Sequence, residues 1–467
     1  MEANFDIDKV IDDYEEAMIR DIRRLVKHYS VESEPLEGMP FGKGAADALN
    51  EAVAISNELR FKTKNYDNYA ATAEIGEGKR LIGIVGHVDV VPVGDGWKYD
   101  PFAAEVHDGC IYGRGAIDDK GPSIAGLYAM KIVQDMGIPL NKRIRFLFGA
   151  NEETGMKGVK YYQEKESEGF DYGFTPDAEF PVIFGEKGTF RAYFSGALND
   201  GGARVRILSL QGGYAFNVVC DKVSLTLEEN EYTAGVKEAF KKYAQDNELK
   251  YEVENSTLTL LGVAAHASTP HLGVNAISHL MMFLSAAENI SSPFARGYAK
   301  AIGLSYLGEN CGLALEDEYG KLTFNVGMIS AKDGTVSSTI DVRYPLTVTV
   351  DEFKAYVSKM VNFFTLYGLS VDGIEVGPSL YIDPESPLVT GLHKAYTDAT
   401  GDTENKPFTI GGGTYAKCFK NIVAFGPEFI GADYNVHMTD EHFPIDHLKK
   451  AVKAYTYAIL NLLAIED

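Results

Sequence analysis

Three short stretches of the chain combine imidazoles and carboxylates at spacings suited to acid, base or metal chemistry. His87-Val88-Asp89 follows directly on the apolar run 81–85 (LIGIV). In an extended segment residues two apart face the same side, so a carboxylate can hold one imidazole N–H while the other nitrogen binds a metal. Gly113-Arg-Gly-Ala-Ile-Asp118-Asp119-Lys120-Gly121 delivers two adjacent carboxylates to the start of a helix. The positive end of a helix accounts for one of them; two like charges side by side call for a compensating cation or base. Asn151-Glu152-Glu153-Thr154-Gly155 follows the run 144–148 (IRFLF), so one glutamate can bind a metal while the other moves protons. Asp177 after a proline turn and His437 among the carboxylates of NVHMTDE complete the set. Each piece alone has a plainer reading: a chance His-x-Asp in an acidic chain, a cap, a solvated loop, a turn aspartate, a structural histidine. The conjunction is what points to a His and carboxylate metal site without thiolates.

The elements that must position these groups read as an α/β unit. Apolar residues recur at helical spacing over 11–29 and 45–59, and 121–136 reads as a helix between the strands 81–85 and 144–148. Strand, helix, strand is the grammar of a sheet covered by helices. Beyond Gly188 the texture changes to strand-like runs at 189–194, 219–227, 251–263 and 321–329, interrupted by helical stretches at 274–287 and 350–367. After a proline-rich turn at Asp383, helices at 388–399 and 447–463 and a strand at 421–425 resume the first pattern. The expectation is a discontinuous α/β catalytic domain, residues 1–187 and 384–467, with a mixed sheet flanked by helices. It carries an inserted α+β domain, residues 188–383, long enough to contain two related halves.

The formal net charge of −23 repels phosphate backbones and anionic membrane surfaces, so nucleic-acid and membrane partners are excluded. The acidic start MEANFDIDKVIDDYEEA lacks the basic and apolar regions of a secretory signal, and no apolar run approaches 18 residues, so a cytoplasmic location is expected. Cys110, Cys220, Cys311 and Cys418 are widely spaced, without a C-x-x-C pair, and read as buried free thiols.

The series GHVDVVPVGDGW, GRGAIDDKG, NEETG, TPDAEFP, GGGTYAK and NVHMTDE, in that order from His87 to Glu441, resembles the M20 family of dinuclear metallopeptidases, and within it the PepV-type bacterial dipeptidases. The resemblance implies two zinc ions per subunit, or manganese, bridged by Asp118. His87 and Asp177 would complete one metal site, and Glu153 and His437 the other. Asp89 would orient His87, Glu152 would be the general base, and Asp119 would follow Asp118 across a cis peptide. The inserted domain would be the family's lid, in which His266 steadies the tetrahedral intermediate, Arg343 binds the substrate carboxylate and Asn217 contacts substrate. Gly412, Gly413 and Thr414 would add donors for the same carboxylate. Lys417 stands where the family usually has arginine, which puts a bidentate role there in doubt.

A metal-dependent dipeptidase acting on short peptides, including the β-Ala-His type, is the expected function. The enlarged lid implies a self-contained monomer. An N-acyl amino acid deacylase of the same family is the alternative, and a non-catalytic metal- or peptide-binding protein is a third reading, opposed by the presence of Glu152 and all five expected ligands.

Overall fold

The runs LIGIVGH and RIRFLFG form the strands Leu81–His87 and Arg143–Gly149, which lie parallel in register from Leu81 beside Arg143 to His87 beside Gly149. Both are buried along nearly their whole length, as parallel strands covered on two faces must be. The computed structural model to which they belong describes residues 5–466, so the first four residues of the acidic start lie outside the described residues. Tyr172–Thr175 runs parallel beside Leu81–His87, and Ile422–Ala424 runs parallel beside Tyr172–Thr175. At the other edge the hairpin of Lys62–Tyr66 and Ala70–Ile75 adds two antiparallel strands next to Arg143–Gly149. The carboxyl ends of the four parallel strands therefore share one edge, where α/β sheets bind ligands.

The helix Lys120–Asp135 is buried over almost all its length, packed among the helices Ile7–Val26 and Ile445–Leu463. Pro387–Thr400 packs on Ile445–Leu463 and starts cleanly: Ser386 accepts from the Val389 N–H, and Pro387 occupies the first helical position. Lys43–Glu58 turns an alanine-rich face (Ala45, Ala48, Ala52) toward Ala70–Ile75.

The chain divides into two units, one of Met1–Gly185 with Ile382–Asp467 and one of Glu186–Tyr381. The inserted unit is α+β. Its sheet is antiparallel throughout, in the order Lys250–Glu254, Thr257–Leu261, Lys222–Leu227, Ile207–Gly212, Ile329–Lys332, Thr335–Tyr344, Gly188–Ala197, Ser370–Gly377. Two residue pairs, Gln211 with Ser330 and Gly212 with Ile329, join its two groups of strands. Four helices accompany the sheet: Thr233–Asp246, Ala276–Ala286, Pro293–Ala301 and Val350–Leu366. The last begins with a full capping box between Thr349 and Glu352.

The structure departs from the sequence expectation in several places within this unit. The stretch 251–263 is a hairpin rather than one strand, because Asn255 takes a left-handed conformation (φ 51°) and turns the chain. The stretch 321–329 breaks into Thr323–Asn325 and the start of Ile329–Lys332, and the strand expected over 219–227 begins only at Lys222. The helices Thr233–Asp246 and Pro293–Ala301 were not anticipated. Cys220 and Cys311 are buried free thiols as expected, whereas Cys110 and Cys418 are only partly covered. Among the described residues no helix is long and apolar enough to cross a membrane.

Candidate active site

His87 closes its strand with a side chain only 1% exposed, its Nε2 3.0 Å from Asp118 Oδ1 and 3.7 Å from Asp177 Oδ1. His437 Nε2 lies 2.8 Å from the other oxygen of Asp118 and 3.3 Å from Glu153 Oε1. Asp118 thus offers one oxygen to each imidazole, and each imidazole has one further carboxylate beside it. One donor atom each from His87, Glu152 and Asp177 falls within a mutual 4.8 Å, and so does one each from His87, Asp118 and Glu153. His87, Glu152, Glu153 and Asp177 stand at or just beyond the ends of the parallel strands, Asp118 on the loop before the helix Lys120–Asp135, and His437 on the 435–440 turn.

The backbone is shaped to bring them there. Gly86 precedes His87 because a Cβ would lie 2.5 Å from Asp119 Oδ2 and 2.4 Å from Ser123 Oγ. That space lets Asp119 accept the His87 backbone N–H at 2.9 Å and the Ser123 hydroxyl at 3.1 Å. Asp119 therefore does not cap the helix with its side chain; it fixes the strand end against the helix start. The Asp118–Asp119 peptide bond is cis.

Asp89 plays a larger part than the His-x-Asp spacing implied. The nearest acceptor for His87 Nδ1 is the Asp89 main-chain carbonyl at 2.9 Å, with the carboxylate at 3.5 Å. The carboxylate instead accepts the backbone N–H groups of Glu152 (3.0 Å) and Glu153 (3.1 Å), which orients the glutamate loop. Asn151 braces the same loop: its Oδ1 accepts the Lys157 N–H and its Nδ2 donates to Glu32, which also takes the Thr154 hydroxyl. Glu32, 119 residues before Asn151 in sequence, carried no motif that could have singled it out. Tyr415 was hidden inside GGGTYAK; its ring centroid is 6.2 Å from that of His87, and its buried hydroxyl lies where a Cβ on Gly149 would collide. In the same motif Thr414 accepts the Ala416 N–H at 3.1 Å, and Lys417 donates to the Gly412 carbonyl at 3.1 Å across Gly413.

His266, Asn217 and Arg343 lie in the inserted unit, where the fold gathers them. Val218 bridges His266, the Asn217 carbonyl accepts the Ala267 N–H at 2.8 Å, and Thr323, register partner of Arg343, donates to the Ala267 carbonyl at 2.9 Å. His266 Nδ1 accepts from the Ser268 N–H, so Nε2 carries the proton and is a donor. Burial, with the Arg343 charge next, lowers the pKa of His266 and keeps it neutral. Arg343 is buried rather than a surface strand charge, and it grips Asp341 at 2.7 and 3.1 Å.

The model of peptidase family M20/M25/M40 matches residues 83–461. The chain belongs to this family. A Bacillus subtilis protein named "Putative dipeptidase YtjP" is 35% identical over 460 residues, covering 96% of this chain and 97% of its own. Among solved structures, human carnosine dipeptidase 1 shares the fold with a TM-score of 0.60 at 16% identity, covering 98% of this chain and 99% of the other. The di-peptidase Dug1p of Saccharomyces cerevisiae does so with a TM-score of 0.58 at 14% identity, covering 99% and 98%.

In this M20 peptidase the site's charges are out of balance. Burial, then the neighbouring Asp177, raises the pKa of Glu152 well above the carboxylate range, and burial pushes Asp177 up to about 7. Burial also raises Glu153 and Asp119. Asp118 goes the other way: hydrogen bonds from His437 and His87 outweigh burial and lower it. Against the cost of burial, Asp118 and Glu153 raise His437 to about 11, and Asp177 and Asp118 raise His87 well above its usual value. Both imidazoles are thus drawn toward the protonated form by the carboxylates around them. Asp119 Oδ1 is buried without a hydrogen-bond partner, and Glu153 Oε1, equally buried, has only the 3.3 Å ion-pair approach of His437 Nε2. Under-satisfied carboxylate oxygens and imidazole nitrogens, with no thiolate among them, are a donor set that suits zinc or manganese.

Proposed function

We propose that the protein is a metal-dependent dipeptidase that uses a pair of divalent cations. The observation that carries the reading is the division of Asp118, one oxygen toward His87 at 3.0 Å and the other toward His437 at 2.8 Å. His87, Asp118 and Asp177 would hold one cation, and Asp118, Glu153 and His437 the other. When bound, such a pair polarises the scissile carbonyl and activates the attacking water.

The chain's own groups do the rest. Glu152 takes the water's proton and hands it to the leaving amine, a task for a carboxylate held at the edge of the ligand cluster. Asp89 keeps Glu152 in place through its backbone N–H. From the inserted unit, His266 supplies an Nε2 donor to the developing oxyanion, Arg343 binds the substrate carboxylate and Asn217 contacts the substrate. Gly412, Gly413 and Thr414 are proposed to support that carboxylate. Zinc is the proposed metal, with manganese as the alternative, and the cytoplasm the proposed location.

Dipeptides with a free amine, including the β-Ala-His type, are the proposed substrates. Support comes from the dipeptidase names of the relatives and from the resemblance of the motifs. Turnover of β-Ala-His and a panel of free dipeptides, compared with their N-acetylated counterparts and with N-acetyl amino acids, tests this. The free dipeptides are expected to be hydrolysed; hydrolysis confined to the acylated compounds would replace the reading with a deacylase.

A further inference from the structure

Glu441 ends the motif that supplies His437, yet its side chain reaches a different element. It is fully buried, and one carboxylate oxygen accepts three donors of the glycine-rich loop: the backbone N–H groups of Gly115 (2.9 Å), Ile117 (3.1 Å) and Asp118 itself (3.3 Å). The other oxygen accepts from Arg114 Nη1 at 2.6 Å, and the Glu441 carbonyl takes the Gly113 N–H at 2.9 Å. Arg114 is equally buried, donates to the Pro92 carbonyl and lies over the Trp97 ring. The loop that presents Asp118 and the turn that presents His437, far apart in sequence, are thereby stapled together by a single carboxylate four residues after His437.

We propose that Glu441 is a positioning residue for the metal centre, holding the Asp118 loop against the His437 turn so that Asp118 keeps one oxygen on each imidazole. The proposal rests on the reading that Asp118 and His437 bind metal. It acts through hydrogen bonding to backbone N–H groups, since ligands whose supporting partners are removed lose orientation before they lose identity. Other clusters are self-satisfied by comparison: the groove lined by Arg20, Arg23, Arg24 and Lys27 has its arginines and lysine matched to Asp21, Glu51, Glu58 or a carbonyl.

The test compares two charge-neutral variants that differ only in the acceptor. Glu441→Gln/Arg114→Met retains an oxygen for the three N–H groups, and Glu441→Leu/Arg114→Met removes it. Zinc is titrated calorimetrically into each chelator-treated protein and into the unmodified chain. The Leu variant is expected to bind about 10- to 100-fold more weakly than the Gln variant, with faster amide hydrogen exchange over 113–119 in the metal-free state. A purely structural role would lower the melting temperature while leaving the two affinities equal, and equal affinities would overturn the proposal. Should the Leu variant fail to fold, Glu441→Asp keeps the charge on Arg114 but shortens the reach, and the same loss of affinity is expected; wild-type affinity there would overturn it too. An unmodified chain that binds no zinc would instead refute the metal reading, independently of Glu441.

Discussion

Glu152 and Glu153 share one loop and one backbone clamp on Asp89, yet their side chains meet different surroundings. Glu153 approaches His437 and Asp118, whereas Glu152 groups with His87 and Asp177. The proposed roles divide along this line, Glu153 as a ligand and Glu152 as the proton carrier. Glu152→Ala is expected to lower kcat by at least about 10²-fold, the scale of a lost general base, while calorimetry still finds the metal affinity of the unmodified chain. A kcat that stays within experimental error would refute the assignment. At this scale the sequence was most informative where chemistry concentrates: His87, Glu152 and Glu153 follow strand runs and Asp118 is paired with Asp119, whereas Asp177 and His437 count only in conjunction with them. Glu32 and Tyr415 carry no such signal. Their importance comes from contacts with Asn151, Thr154, His87 and Gly149 that only the folded chain creates. For Asp89 the spacing identified the residue but pointed its carboxylate at the imidazole, whereas two backbone N–H groups compete better for it.

Among elements, the central strands and the helix Lys120–Asp135 were legible because burial on every side leaves long apolar runs. The inserted unit was harder to read because its sheet strands alternate with exposed residues. The helix Thr233–Asp246 buries little more than Val236, Phe240 and Ala244, a stripe that charged residues obscure. A hairpin turn inside 251–263 has no proline or glycine to mark it. The junction of strand and helix at the site is the element-level feature most exposed to test. Gly86→Ala would press a methyl group onto Asp119 and Ser123. Urea denaturation should show a loss of about 1–3 kcal/mol, the usual cost of overpacking a filled interior, because Asp119 must leave the His87 N–H. A neutral effect would mean that the junction yields freely and that the close approach has no role in fixing His87.

For the whole molecule, the surplus of acidic residues behind the charge of −23 is partly explained. Asp89, Asp118, Asp119, Glu152, Glu153 and Asp177 gather at one strand edge of one unit, where repulsion between buried carboxylates calls for bound cations. Others, such as Asp21, Glu51 and Glu58, form ion pairs. The division into two units, and the return of the chain to the first unit after the insertion, followed from the change in texture near Gly188 and the proline turn near Asp383; the structure sets the limits at Glu186 and Tyr381. The most direct test of the account removes the metal. Protein stripped with a chelator is titrated with zinc or manganese while hydrolysis of a free dipeptide is followed. The account predicts no turnover in the stripped protein and activity that rises to a plateau at two equivalents of metal per chain. Turnover without metal, or a plateau at one equivalent, would contradict it.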